Sequence, residues 1–286
     1  MGKPCMKNDK IFQGSNLPVL PPGATYLLEA LADDNIEIPQ LAEIIERVPT
    51  VAARLIALAN SAWSSPVKAI TSLDQACARL GLGVVRSTSI ALAVSSPFDM
   101  NRCPAFDAKT FWASSLLTAE AAALFTHLMP PNHDLQVSTS RTAGLLHNLG
   151  LLLLADQMPG EVQLAIEKAG KDSAPSLRLA LQSICGLDYT DAGAYLSEAW
   201  GLPEPLSTAI EHHANPDYEG EHWQVACLVG ASASMVSSIQ RKTPWAMSEA
   251  IVHRLDVEVG ATNRLFESLA KQAELIRKLA EALFVN

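Results

Sequence analysis

A histidine followed by an asparagine, in the apolar stretch GLLHNLG (144–150), is the residue pair most suggestive of chemistry in this sequence. An adjacent histidine and aspartate would offer a divalent metal ion a nitrogen ligand and a charged oxygen ligand from one helical turn. Here the second residue is Asn148, whose amide has no charge to balance the ion or to lower the pKa of its bound water. The alternative role for His147 is that of a buried histidine hydrogen-bonded within a helical core.

Further metal ligands would have to come from residues later in the chain. Asp188 and Asp191 are three residues apart and so share one helix face, but Asp188 also fits a helix N-cap with Asp191 in the first turn. His212 and His213 precede a proline turn, where a histidine near a helix C-terminus interacts favourably with the helix dipole. They are alternatively a wall of a cleft that holds an anion or a single weakly bound metal.

The composition predicts that these residues are carried on helices. Of the 286 residues 49% are hydrophobic, and alanine and leucine, both strong helix formers, dominate. No strand pattern persists, so the predicted fold class is all-α. The five tryptophans are spread along the chain and are predicted to lie in the core or between the lobes.

Turn signals divide the chain into four segments. Two prolines in SSPFDMNRCPAFDA (95–108) mark the boundary between the lobes. The predicted segments are a flexible leader (1–16), an N-terminal helical lobe (17–98), a second helical lobe (108–240) and a C-terminal amphipathic segment (244–286).

Several helices and turns follow from local patterns. Ser72 and Gln75 predict a capping box that opens a helix ending at Gly81, and GLGVV (81–85) reads as a turn. Residues 140–156 are predicted to form one buried helix, and residues 177–199 are also predicted to be helical. In the C-terminal segment the apolar spacing predicts an amphipathic helix, whose face over 262–284 either closes the fold or forms a homodimer contact.

Charge and cysteine content restrict the location and the partners. The formal net charge is −9, so no overall basic field would attract nucleic acid, and we expect nucleic acid not to be a partner. The five cysteines are scattered without a C-x-x-C pair, which predicts reduced thiols. The N-terminus lacks the apolar core of a secretory signal, and the most apolar stretch (143–155) is too short to span a membrane. The predicted location is cytoplasmic, without membrane contact.

Four sequence blocks, in order, resemble a known family. They are ANSAW (59–63), ITSLDQACARLG (70–81), AGLLHNLG (143–150) and the stretch at 186–216 that begins GLDYTDAG. Together they resemble the HDOD domain, a bacterial signalling module related to the HD metal-dependent phosphohydrolases, over roughly residues 17–240. The resemblance implies a fold of two helical lobes, the second built like an HD domain.

The resemblance also implies where metal ligands would lie. The first histidine of HD phosphohydrolases falls on Ser114, the HD pair on His147-Asn148, and a later histidine of many relatives on Tyr189. The closing aspartate should lie near residue 232, but residues 223–240 contain no aspartate. The degenerate positions are therefore Ser114, Asn148 and Tyr189 around a retained His147.

These substitutions predict a non-catalytic signalling or regulatory module without a cofactor, which binds another signalling protein or a small ligand. The alternative is a residual phosphohydrolase for a nucleotide or cyclic dinucleotide, whose altered metal site would use His147, Asp191, His212 and His213. At most, a divalent metal would bind these residues weakly. A third interpretation is a ligand sensor that keeps the cleft without its metal, but few basic residues lie near the motifs, which gives a phosphate ligand little support.

Overall fold

The computed structural model describes residues 17–130, 135–170 and 174–284, with the side chains of 174–176 excepted, and in this part of the chain it contains helices and no β-strand. The all-α class predicted from the composition is confirmed, and the helices form the two lobes that the family resemblance implies. The predicted leader (1–16) lies outside the described residues.

The N-terminal lobe consists of five short helices. Ser72 caps the fourth, because its Oγ accepts a hydrogen bond from the Gln75 amide at 3.3 Å, and Gly81, with a φ of 84°, separates the fourth helix from the fifth. The turn predicted for 81–85 is therefore confined to Gly81, because helix resumes at the next residue. The helices are α1 (Pro22–Ala30), α2 (Ile38–Glu46), α3 (Pro49–Ala59), α4 (Leu73–Leu80) and α5 (Leu82–Ser95).

The second lobe surrounds a long buried helix, α6, on which Trp112 and Phe125 are completely enclosed. Helices α7, α13 and α15 pack against α6. After a short 3-10 turn (Met100–Arg102), the helices are α6 (Ala108–Thr126), α7 (Val137–Leu146), α8 (Leu149–Gln157), α9 (Pro159–Ala169), α10 (Ala174–Cys185), α11 (Tyr189–Ala199), α12 (Glu204–His212), α13 (Trp223–Arg241), α14 (Glu249–Leu255) and α15 (Val259–Leu283).

The prediction of one helix over 140–156 is wrong, because the chain breaks at His147 and Asn148 into α7 and α8. The break lets α8 pack closely on α11. A Cβ atom added to Gly150 would lie 1.9 Å from the Tyr189 carbonyl oxygen, so only glycine permits this approach. The helical stretch predicted over 177–199 is likewise interrupted, since Gly186 has a φ of 79° and α11 restarts at Tyr189.

The N-terminal lobe supports the helix that leads to His147. The side chain at the N-cap of α7 makes no capping hydrogen bond. The Asp34 carboxylate, from the loop after α1, instead accepts hydrogen bonds from the amides of Val137 at 3.1 Å and Ser138 at 2.8 Å. A negative charge at a helix N-terminus is favourable, so this contact fixes α7 against the first lobe.

The amphipathic C-terminal helix, α15, closes the fold. Its leucines at 265, 269, 279 and 283 are buried, and its backbone accepts hydrogen bonds from the N-terminal lobe. Arg54 Nη1 donates to the Leu283 carbonyl at 2.7 Å, and Trp63 Nε1 donates to the Leu275 carbonyl at 2.9 Å. Of the two alternatives for this face, these contacts support the one in which the face packs within the chain.

Cys77, Cys103, Cys185 and Cys227 are buried and form no disulfide, and Cys5 lies outside the described residues. Within the described ranges no single helix has the length and apolar character needed to cross a membrane. Helices α4 and α5 taken together have the required length and apolar character, but the chain bends by 114° between them.

Candidate functional site

A cleft of about 580 Å³ opens between α6, the α7–α8 junction and α13. It collects side chains from parts of the chain that are more than one hundred residues apart in sequence. Its lining includes the four positions that correspond to the HD site, which are Ser114, His147, Asn148 and Tyr189, and also the candidate residue His213. The structure therefore assembles the positions that the family resemblance singled out.

The two histidines lie at the centre of the cleft. His147 and His213 are both buried, and their rings meet edge to face with centroids 4.9 Å apart. Nδ1 of His147 lies 2.7 Å from the Gly144 carbonyl oxygen, and Nδ1 of His213 lies 3.0 Å from that of Ala209. Because a carbonyl oxygen only accepts hydrogen bonds, each Nδ1 carries a proton and donates, which leaves each Nε2 with a lone pair.

Both histidines are neutral. Burial lowers the pKa of His147 to about 3, with a further contribution from the neighbouring His213. Burial likewise lowers the pKa of His213 to about 4, although its backbone hydrogen bonds oppose the shift. Neither ring therefore supplies a positive charge to the cleft near pH 7.

The remaining degenerate positions are also uncharged. The Tyr189 ring stacks on His213 with centroids 6.0 Å apart, and burial raises the pKa of its phenol. Ser114 and Asn148 line the cleft, and their side chains make no hydrogen bond with other described residues. Cys227, also in the lining, is a protonated thiol because burial raises its pKa.

An arginine and a buried acid stand next to this group. Arg178 lines the cleft, and its Nε donates a hydrogen bond to Oδ2 of Asp188. Asp188 is the N-cap of α11 and also accepts hydrogen bonds from the amide and hydroxyl of Thr190, both at 2.7 Å. Burial alone would raise the pKa of Asp188, but the hydrogen bonds from Arg178 and Thr190 outweigh it and lower the pKa. Asp188 is thus an ionised structural residue behind Arg178.

Two of the candidate residues lie outside the cleft. The His212 ring stacks on Tyr218 with centroids 3.9 Å apart and approaches Glu211 at 3.6 Å. Asp191 is exposed, and its carboxylate accepts the Asp188 amide hydrogen bond at 2.9 Å in a capping box. The structure therefore separates His212 from His213 and gives Asp191 a structural role.

The residues of the cleft do not fit a divalent metal ion of the HD type. Among the described residues no aspartate or glutamate lines the cleft, and the two histidines can offer an ion only their neutral Nε2 atoms. A divalent ion there would have only neutral donors to compensate its charge and its lost hydration. Among the described residues, the group of histidine, cysteine or carboxylate ligands close enough to share an ion is Glu204, Glu221 and His222, at the surface and outside the cleft.

The far wall of the cleft is formed by α13 and the segment that follows it. Gly230 of α13 lies so close to α12 that a Cβ atom there would be 2.2 Å from the His213 carbonyl oxygen. Beyond the helix, Trp245 and Met247 line the cleft with Ile251 of α14. Trp245 Nε1 donates to Ser234 Oγ at 3.3 Å, and its ring stacks on Phe266 with centroids 5.9 Å apart.

Sequence reasoning missed Arg178, Arg241 and Trp245, all of which line the cleft. Few basic residues lie near the motifs along the sequence, but the folded chain brings Arg178 and Arg241 into the same cleft as the motif residues. Arg178 is separated from His147 by two helices, and Arg241 follows the last recognised block. No motif marks either residue, and only the folded chain brings them to the cleft.

Comparison with known proteins identifies relatives of this fold. A family model described as HDOD domain matches residues 17–216. An uncharacterized protein of Treponema pallidum (strain Nichols) is 22% identical over 236 residues, which are 80% of this chain and 44% of that protein. The chain thus spans less than half of the length of this curated relative.

Solved structures share the whole architecture. A candidate signal transduction protein from Marinobacter aquaeolei VT8 has a TM-score of 0.79 at 23% identity, covering 96% of this chain and 61% of that chain. An HDOD domain protein with unknown function from Geobacter sulfurreducens has a TM-score of 0.73 at 20% identity, covering 96% of each chain. At these identities the two structures establish a common fold.

Proposed function

The chain belongs to the HDOD domain family, and from this membership we propose that it is a non-catalytic regulatory module of signal transduction. In this proposal the chain acts by binding another signalling protein or a small ligand, without a metal cofactor. The name of the Marinobacter aquaeolei protein, a candidate signal transduction protein of the same fold, agrees with this role.

The proposal is carried by a cleft lining in which the described part of the chain places no carboxylate. A metal-dependent phosphohydrolase needs charged ligands that balance the ion and lower the pKa of the water it activates. Here the place of the paired aspartate is taken by Asn148, and Ser114 and Tyr189 add only neutral oxygens. The neutral Nε2 atoms of His147 and His213 are the strongest metal ligands that remain, and two imidazoles are too few for such a metal site.

A residual phosphohydrolase would have to recruit ligands from elsewhere. The candidates for this were His212 and Asp191, but His212 stacks on Tyr218, and the Asp191 carboxylate caps α11. Asp188 is held by Arg178 and Thr190 behind the cleft. Moving any of these groups onto an ion would break a cap or an ion pair of the fold, which weighs against the enzymatic alternative.

The test is hydrolysis of bis(nitrophenyl) phosphate and of a cyclic dinucleotide, with manganese, iron(II) or magnesium added to the purified chain. We expect rates equal to those of the metal in buffer alone, and equal rates for the His147→Ala variant. Metal-dependent hydrolysis by the unmodified chain that disappears in His147→Ala would contradict the proposal.

A further inference from the structure

We infer that the cleft binds a small organic anion, whose charged group contacts Arg178 and Arg241 and whose apolar body packs on Trp245 and Met247. This inference rests on the proposed function, because it takes the cleft to be a binding site without a metal. It assigns a ligand class to that site. The cleft volume of about 580 Å³ lies within the range typical of small-molecule sites, about 300–1,000 Å³.

The charge of the cleft lining is the first argument. Two arginines, Arg178 and Arg241, line the cleft, and none of the described residues places a carboxylate in its lining. Asp188 lies behind Arg178 and offsets its charge, so Arg241 supplies the surplus. Arg241 is exposed, and its side chain makes no hydrogen bond or ion pair with any described residue. The cleft therefore carries a net positive charge that no described side chain of the lining neutralises.

Arg178 is held in place for such a contact. Its Nε donates to the buried Asp188, and Nη1 lies 3.5 Å from the Ala214 carbonyl oxygen. Its Nη2 has no partner among the described residues, and the side chain keeps 40% of its surface exposed. A guanidinium fixed by a buried acid offers its remaining N–H groups to an anion with little further loss of side-chain entropy.

The neutral histidines direct the anion to the arginines. Nδ1 of His147 and of His213 donates to backbone carbonyls, which leaves only lone pairs on Nε2. A lone pair repels an anionic oxygen and accepts a hydrogen bond from a donor group. The histidine end of the cleft therefore suits a hydroxyl or amino group of the ligand.

The body of the ligand would pack on an apolar part of the cleft lining. Trp245, Met247 and Ile251 are partly buried apolar residues that face the same cavity. The Trp245 ring is fixed by Phe266 and by the hydrogen bond to Ser234. A rigid aromatic wall beside fixed positive charge suits a ligand with an aromatic or aliphatic body and one anionic group.

Most of the lining residues lie beyond residue 216, where the match to the family model ends. Arg241, Trp245 and Met247 all belong to this later part of the chain. The apolar wall and one of the two arginines are therefore supplied by residues that the family model does not cover, whereas Arg178 and the two histidines lie within the matched range.

Two fluorescent probes of matched shape test the inference. Anilinonaphthalene sulfonate is an organic anion with an aromatic body, and phenyl-naphthylamine is its uncharged counterpart. We expect the anion to bind more tightly than the neutral probe. Its affinity should fall about tenfold in Arg178→Gln and about threefold in Arg241→Gln, because a charge-assisted contact is lost. Arg264→Gln, at an exposed α15 position outside the cleft lining, should leave the affinity unchanged.

Each variant has a separate purpose. Arg178→Gln removes the partner of a buried acid, so Arg241→Gln decides the test if the first variant does not fold. Trp245→Ala should weaken both probes, because both pack on the indole. The inference is overturned if the neutral probe binds as tightly as the anion, or if the anion is insensitive to the arginine substitutions in the variants that fold.

Competition identifies the kind of anion. Displacement of the sulfonate probe by phenyl phosphate at lower concentration than by benzoate assigns a phosphate ester, and the reverse order assigns a carboxylate. Displacement by neither overturns the inference. The metal content of the same sample separates the two proposals. Stoichiometric metal would contradict the proposed function, whereas a metal-free protein with arginine-independent probe binding contradicts this inference alone.

Discussion

The imidazole rings of His147 and His213 contact each other edge to face, with planes at 88° and centroids 4.9 Å apart. Each ring comes from the end of a different helix, α7 or α12, and each donates its Nδ1 proton to a backbone carbonyl of its own helix. Two neutral, buried rings are therefore in contact at the centre of the cleft.

Stability should fall on acidification because both histidines are buried in the neutral form. Their pKa values, about 3 and about 4 in the folded state, lie below the ordinary value of 6.5. Between these limits the unfolded chain binds more protons than the folded one, so the stability present above pH 6.5 is lost as the pH falls. Each histidine should lower the free energy of unfolding by roughly 1 kcal/mol between pH 6 and pH 5.

Urea unfolding at several pH values measures this effect. His147→Asn should reduce the pH slope by the share of one histidine. A wild-type slope that matches that of His147→Asn would contradict the burial of a neutral imidazole.

Glycine at 150 should be essential for the packing of α8 on α11. An alanine Cβ would lie 1.9 Å from the Tyr189 carbonyl oxygen and 2.3 Å from the Gly193 nitrogen, and neither backbone atom moves freely. We expect Gly150→Ala to lower the free energy of unfolding by about 3 kcal/mol or to prevent folding. Gly160→Ala, where nothing lies within 4 Å of the new Cβ, is the matched control and should be neutral or slightly stabilising. Equal melting temperatures for the two variants would rule out the close approach.

Asp188 should stabilise the fold through its charge as well as through its cap. Asparagine caps a helix about as well as aspartate but cannot pair with Arg178. We expect Asp188→Asn to lower the free energy of unfolding by about 1–2 kcal/mol, and Asp188→Ala by about 2–4 kcal/mol, since the partial exposure of Arg178 weakens the pair. Asp107→Asn, at the exposed N-cap of α6, is the control and should change stability by less than about 0.5 kcal/mol. Equal losses at the two sites in chemical denaturation would contradict the ion pair.

The hydrogen bonds from the first lobe to α15 should contribute measurably. Trp63→Phe keeps most of the ring but removes the N–H that donates to Leu275, and Arg54→Met removes the donor to Leu283. Each should lower the free energy of unfolding by about 1 kcal/mol. The two donors contact carbonyls eight residues apart on one helix, so we expect the losses in the double variant to add approximately. No loss in either single variant would show that α15 does not depend on these contacts.

The sequence predicted several helix ends because capping signals are local. Ser72 and Gly81 mark the ends of α4 through capping chemistry, and Asp188 marks the start of α11 in the same way. The placement of Ser114, His147 and Tyr189 in one cleft followed from the family resemblance, which supplies long-range information that composition lacks.

The parts that the sequence did not predict depend on tertiary contacts. The break between α7 and α8 has no proline to mark it, and it accompanies the close packing of Gly150 on α11, which is a tertiary contact. Adjacent residues His212 and His213 separate because the helix ends between them, which sends one ring into the cleft and the other onto Tyr218. Arg178 and Arg241 reach the cleft only through the packing of α10 and α13.

Metal content is the most direct test of the central claim that the cleft functions without a metal ion. Inductively coupled plasma mass spectrometry would be applied to protein purified without chelators and without a histidine tag. The account predicts iron, manganese and zinc well below one ion per chain, and no change in His147→Ala. About one tightly held ion per chain, lost in His147→Ala, would contradict the account.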